Sequence, residues 1–301
     1  MRKLILLYML VPNLCVAQQI GNGLINIYKS VGMVSFLPTP TVRNYGTGTI
    51  VYRKYGEDSF AFFLVTCKHV LPIKSQSDFV YFDIANELST SKFSTIKIWV
   101  YDSLGNYTPE VKIDPDSNDV AVLNLTWILS FPQYKEVRGN AMPYEMLMSK
   151  DSIKVNDINV GDDVYFIGYP SGWYDKRNIS PLVRSGIISS PPEEDFYLND
   201  MVRIGHFNKF HEILPKKLNG FLIDANTTWG SSGSFVFLKP KFVRINKGLL
   251  EYNAQGGESL ILGVLTYSFL DPQSIADPIK LNLGGVISAS AIQKTINLFY
   301  R

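Results

Sequence analysis

From residue 25 to 130, short runs rich in β-branched and aromatic residues alternate with Gly, Asn, Asp and Ser. They include 48–52, 60–65, 79–82, 96–101 and 120–125, a spacing that predicts an all-β sandwich or barrel. A second set follows the polar stretch near 148–157, at 163–167, 182–188, 201–204, 220–223, 234–238 and 260–267. Two sets of about six strands predict two β units joined by a linker around 135–155. The clear helical signal comes last. Ser288 or Ser290 can cap a segment in which Ile292, Ile296, Leu298 and Phe299 recur near the 3.6-residue period. The segment 189–219, with Pro191-Pro192-Glu193-Glu194-Asp195 and Pro215-Lys216-Lys217, reads as an insertion carrying its own strand. There are no heptads, no low-complexity tract and no internal repeat.

The first seventeen residues stand apart from this pattern. Met1-Arg2-Lys3 is a short cationic start, 4–11 is an unbroken apolar run, and Cys15-Val16-Ala17 puts small residues where a signal peptidase reads. We therefore expect a signal peptide over 1–17 and an exported chain, secreted or periplasmic. Pro12 and Asn13 break the run well short of the roughly 20 residues a membrane anchor needs. Leu14 is bulkier than the residue usually found before a lipidated Cys, so lipoprotein anchoring is not expected. No later stretch approaches the length of a membrane span.

Composition narrows the classes further. The net charge of +2 over 301 residues is no phosphate-neutralising surface, so no nucleic-acid partner is expected. Arg2 and Lys3 account for that excess, and the charge falls to zero once the leader is removed. The two Cys, one of them in the leader, exclude a disulfide scaffold and a four-Cys zinc site. A 46% hydrophobic content excludes disorder.

With three His in the chain, at 69, 206 and 211, the search for a general base is short. His69 follows the apolar run Phe63-Leu64-Val65-Thr66-Cys67-Lys68, Asp119 directly precedes the apolar Val120-Ala121-Val122-Leu123, and Ser232 lies in Trp229-Gly230-Ser231-Ser232-Gly233-Ser234. Singly, each reads as a core His, a turn Asp and a Gly-Ser turn. Jointly, each ends or begins a strand. A serine hydroxyl needs a base to take its proton, and that base needs an acceptor that fixes its tautomer. Gly230 leaves its N–H open beside that of Ser232, and two such donors can hold an oxyanion. His206 and His211 lack a nearby Cys or acidic cluster to complete a metal site, so no metal and no cofactor are expected.

Chain order separates the serine-hydrolase folds. An α/β-hydrolase places its His after the nucleophile, and no His follows Ser232. The subtilisin order needs a parallel α/β sheet, which a chain with almost no helical signal before residue 288 does not offer. The pattern resembles instead the chymotrypsin-fold (trypsin-like) serine proteases, in the bacterial HtrA-like branch. Gly46-Thr47-Gly48-Thr49-Ile50-Val51 is similar to the family's strand before the catalytic His. Leu64 to Val70 is similar to its "T-x-x-H-V" element, Asn118 to Leu123 to "D-[IV]-A-[VL]-L", and Gly161 to Pro170 to the opening of the second barrel. Arg184 to Ser189 resembles the strand after it. Asp224-Ala225, then Gly230-Ser231-Ser232-Gly233-Ser234, resembles the nucleophile loop, and 262–266 and 284–289 the last strands.

The resemblance spans roughly 25–300. It implies two six-stranded antiparallel β-barrels, a chymotrypsin-like double barrel with a short C-terminal α-helix at 289–299. An N-terminal barrel (18–140) would carry His69 and Asp119, and a C-terminal barrel (141–301) Ser232. It also implies a catalytic His69, Asp119 and Ser232, an oxyanion hole of the Gly230 and Ser232 N–H groups, and a protein or peptide substrate. By the same analogy Asn226 floors the specificity pocket, and Thr266, Tyr267 and Ser268 offer backbone to a bound peptide. The uncharged Asn226, and Leu265 where glutamate-specific relatives carry a His, lead us to expect an uncharged residue before the scissile bond.

Departures from the pattern qualify this. Ser231 stands where digestive members carry an Asp that pairs with a new N-terminus, so no activating cut beyond leader removal is expected. The chain ends about 16 residues after Gly285, so the PDZ module of HtrA-type enzymes is not expected. The competing readings are a catalytically silent module that keeps the barrels, and an esterase using the same triad. The sequence leaves the oligomeric state open.

Overall fold

The computed structural model describes residues 27–39, 41–57, 59–86, 92–198, 203–204, 217–240, 243–246, 249–252, 260–270 and 280–301. The expected leader, His206 and His211 lie outside the described residues.

The first unit is built from β1 (Val31–Thr39), β2 (Val42–Lys54), β3 (Phe60–Thr66), β4 (Phe79–Ala85), β5 (Phe93–Trp99), β6 (Val111–Ile113) and β7 (Ala121–Asn124). They lie side by side in the order β5-β4-β1-β2-β3-β7-β6, and every neighbour is antiparallel. The sequence pattern accounts for all of these except β1 and the short β6. In β1, Gly32 and Pro38 punctuate the apolar run and its first six residues are all buried, so neither period-2 alternation nor an uninterrupted core run marks it. Pairing among the described residues leaves this unit as a half-barrel. The two-residue β8 (Met142–Pro143), past the expected boundary at 140, still adds to it, parallel to β2.

The second unit contains β9 (Asp163–Gly168), β10 (Leu182–Ile188), β14 (Gly220–Asp224), β15 (Phe235–Leu238), β18 (Ile261–Leu270) and β19 (Lys280–Ser288). They run β18-β15-β9-β10-β14-β19, and a β18–β19 ladder closes the ring into a six-stranded barrel. Closure removes the open edges that would otherwise template aggregation. The insertion does carry strands. There β11 (Phe196–Tyr197) pairs with β13 (Lys217–Leu218), and β12 (Arg203–Ile204) adds to the edge of β18. A separate hairpin joins β16 (Val243–Asn246) to β17 (Leu249–Tyr252).

The expected linker, 135–155, holds the short helices Lys135–Gly139 and Lys150–Val155, the latter capped by the Ser149 hydroxyl accepting from Ser152 N–H, and a further helical turn, Thr126–Leu129, precedes it. The C-terminal helix runs Ala289–Asn297, and the hydroxyl of Ser288 at its N-cap accepts from Ser290 N–H. Its buried Ile292 and Ile296 join an apolar cluster that extends from Ile27 through Phe63 and Leu123 to Phe235 of the second unit. A second cluster fills the closed barrel with Val164, Phe166, Phe221, Ile223, Leu262 and Val286. Among the described residues no helix is long and apolar enough to cross a membrane.

Candidate active site

His69 sits on a single 3₁₀ turn, Lys68–Val70, that ends β3. The buried run Phe63-Leu64-Val65 anchors the strand, and Val70 tucks back into the core, which leaves the imidazole 29% exposed. Asp119 is delivered by the turn before β7. There Asp114 Oδ1 accepts from Asp116 N–H, Asn118 N–H and Asn118 Nδ2, and Ser117 takes φ +63°. The carboxylate holds the imidazole at two points: Asp119 Oδ1 accepts from the His69 backbone N–H at 2.9 Å, and Asp119 Oδ2 pairs with His69 Nδ1. A ring held this way has its Nδ1 committed and its Nε2 turned away from the carboxylate.

Ser232 belongs to the opposite wall. Its turn is a lattice of main-chain bonds: Ser231 N–H to Thr228 O, Ser234 N–H to Ser231 O at 3.0 Å and Gly233 N–H to Leu265 O at 2.9 Å. Gly230 and Gly233 take φ +81° and +93°, left-handed conformations that a Cβ disfavours. Among the described residues neither the Gly230 nor the Ser232 N–H donates a backbone bond. The Ser232 hydroxyl donates a long bond, 3.4 Å, to Thr266 O.

Thr47 of β2 stitches the walls together. Its N–H donates to Ser232 O at 2.8 Å and its hydroxyl to Gly230 O at 2.7 Å, while Tyr169 N–H donates to that hydroxyl. An open cleft lies between the units. His69, Gly230, Ser232, Thr266 and Ser268 all line it.

Two of the expected substrate-binding residues do not present their side chains to the cleft, which leaves the expected backbone role of Tyr267 untouched. Asn226 is exposed and outside the cleft lining, and the Tyr267 ring is buried against Phe269. Thr228, Trp229, Tyr45 and Arg43 line the cleft instead. Thr228 and Trp229 fall inside the nucleophile loop and could have been found there. Tyr45 and Arg43 come from the start of β2, nearly 190 residues from Ser232 in sequence, and no local pattern marks them.

One further grouping tests for a metal. The Cys67 thiol lies with His69 and Asp119, their donor atoms within 4.8 Å of one another. Cys67 is fully buried, its thiol engaged with Leu265 O and Thr266 Oγ1. Burial, reinforced by the Asp119 charge, pushes its pKa well up and disfavours the thiolate a metal would bind.

Residues 46–241 match the trypsin-like peptidase domain. The chain belongs to the trypsin-like peptidase family. Its half-barrel and closed six-stranded barrel form the chymotrypsin-like arrangement of that family. Among solved structures, the active form of the Rv3671c protease from M. tuberculosis is similar at 18% identity and a TM-score of 0.48, over 91% of this chain and 82% of that one. The HtrA-type protease AlgWS227A with tripeptide aligns at 15% identity and 0.47, over 92% of this chain and 62% of that one. The thermostable serine protease AL20 from an extremophilic microorganism aligns at 14% and 0.45, over 91% and 99%. No curated protein sequence matches the chain. In this trypsin-like peptidase the His and Asp candidates come from the half-barrel and the Ser candidate from the closed barrel, so the cleft exists only where the two units meet.

Proposed function

We propose that this protein is an exported serine endopeptidase, secreted or periplasmic after removal of residues 1–17, acting through His69, Asp119 and Ser232. The carrying observation is that one cleft is lined by an Asp-held imidazole, the Ser232 hydroxyl and a glycine turn whose Gly230 and Ser232 N–H groups donate no backbone bond among the described residues. Asp119 fixes the tautomer that leaves Nε2 as a base. In this scheme the Ser232 hydroxyl gives up its long bond to Thr266 O and turns to that nitrogen. Oγ then attacks the substrate carbonyl as its proton passes to Nε2, and the Gly230 and Ser232 N–H groups donate to the oxyanion. The imidazolium gives its proton to the leaving amine, and water, deprotonated by the same His69, hydrolyses the acyl-enzyme. The substrate is a peptide extended along 266–268, and the scheme uses no cofactor or metal.

A fluorophosphonate probe tests this. The wild type is expected to be labelled at Ser232 and to cleave an unfolded protein, and Ser232→Ala to do neither. Folded wild type that takes no label would favour a silent module, and ester turnover without peptide cleavage would favour an esterase.

A further inference from the structure

Two cations converge on the segment that leads into the nucleophile turn. Arg184, half-buried on β10, lies with its guanidinium 5.4 Å from the Phe166 ring and reaches Thr228 Oγ1 at 3.5 Å. Lys280, the first residue of β19, turns its ammonium back to Thr227 O at 3.4 Å and stands 5.9 Å from the Trp229 ring. Among the described residues no carboxylate forms an ion pair with either. Desolvation pulls both pKa values down, although Lys280 as a whole is exposed where Arg184 is half-buried, and the charge of Arg184 lowers that of Lys280 further. Two like charges held together in partly desolvated surroundings oppose each other, and an anion placed between them would relieve both the repulsion and the lost hydration.

Thr228 and Trp229 line the cleft beside Ser232, whereas Arg184 and Lys280 do not line it themselves but contact 227–229 from behind, at the wall that a substrate side chain next to the attacked carbonyl would meet. We infer that Arg184 and Lys280 form a carboxylate subsite that selects an acidic side chain, Glu or Asp, on the residue preceding the scissile bond. This rests on the peptidase reading above and revises the expectation of an uncharged residue there. Arg184 offers a planar fork for bidentate contact, and Lys280 a mobile point charge that completes it.

The test compares two fluorogenic peptides that differ only in Glu or Gln before the scissile bond. Wild type is expected to favour Glu in kcat/KM by about tenfold or more, a preference that shrinks as salt rises. Lys280→Met and Arg184→Met should each bring the Glu/Gln ratio towards one, while Lys280→Arg keeps it. A ratio within one variant cancels any general loss of activity. Equal cleavage by wild type, or a ratio unmoved in both Met variants, overturns the subsite. Fluorophosphonate labelling separates the two readings: a labelled enzyme without Glu preference sinks the subsite alone. If the folded chain is neither labelled nor active, anisotropy with the same two peptides still decides. Tighter binding of the Glu peptide, lost in Lys280→Met, supports the subsite, and equal binding overturns it.

Discussion

A Cβ on Gly230 would lie 2.1 Å from the Tyr169 carbonyl oxygen, while φ is +81°. Backbone, not a movable side chain, opposes it, so the turn must shift. We predict that Gly230→Ala keeps its β-rich circular dichroism but loses on the order of 10²-fold in kcat, with KM little changed, because one oxyanion donor is displaced. An unaltered kcat would separate this N–H from the chemistry. Gly230 was legible in the sequence because its role is local, a backbone conformation two residues from a serine. Arg184 and Lys280 were not. Each is an unremarkable strand residue, and their convergence on 227–229 follows from the β10–β14–β19 ladder, which no single-strand pattern contains. Asn226 failed as a pocket residue for the same reason. Its neighbour Thr227 turns inward to be buried under Leu283 O, which leaves Asn226 facing solvent.

Among the elements, the C-terminal helix was announced by its period and cap, but its anchoring was not. Thr295 Oγ1 donates to Asp114 Oδ2 and Lys294 pairs with Asp116, so the last helix braces the turn that delivers Asp119. The insertion is tied down by comparable means. Asp195 receives Lys150 on one oxygen and Lys217 on the other, the latter at 2.7 Å, joining both described ends of the segment to the short helix before β9. Burial alone would raise the Asp195 pKa. The hydrogen bonds and charges of the two lysines outweigh that and hold it below the usual carboxylate range. A folded-state pKa below the unfolded one stabilises the fold above the unfolded value and loses that contribution as pH falls through the folded one. Asp195→Asn should therefore lower stability at neutral pH by about 1 kcal/mol, and the gap to wild type should close in the acid range. Melting temperatures from pH 7 down to the carboxylate range read this directly. A gap that widens on acidification would contradict it.

At the scale of the whole molecule, the two units share more than a cleft. One apolar cluster runs from Ile27, Leu64 and Leu123 of the half-barrel to Phe235, Phe237 and Ile261 of the closed barrel. The sequence suggested two bodies joined by a linker, because strand spacing counts elements and says nothing of the faces they bury against each other. Parts of that linker belong to both: β8 pairs with β2, and Leu147 bridges to Ile261. Thr47 is the polar counterpart of this shared core. It is fully buried, and its hydroxyl satisfies Gly230 O and Tyr169 N–H together. Thr47→Val keeps the shape and strands both groups in a dry contact, at about 1–3 kcal/mol for each buried group left unpaired. Thermal unfolding of wild type should show one cooperative transition, and Thr47→Val should lower its midpoint without splitting it. Fluorophosphonate labelling of the still-folded variant should slow as well, because Gly230 O is the acceptor that holds the turn. A variant that melts in two steps would show that the units fold apart and meet only by docking. One that melts lower as a single unit but labels at the wild-type rate would show that Thr47 joins the units without shaping the nucleophile turn.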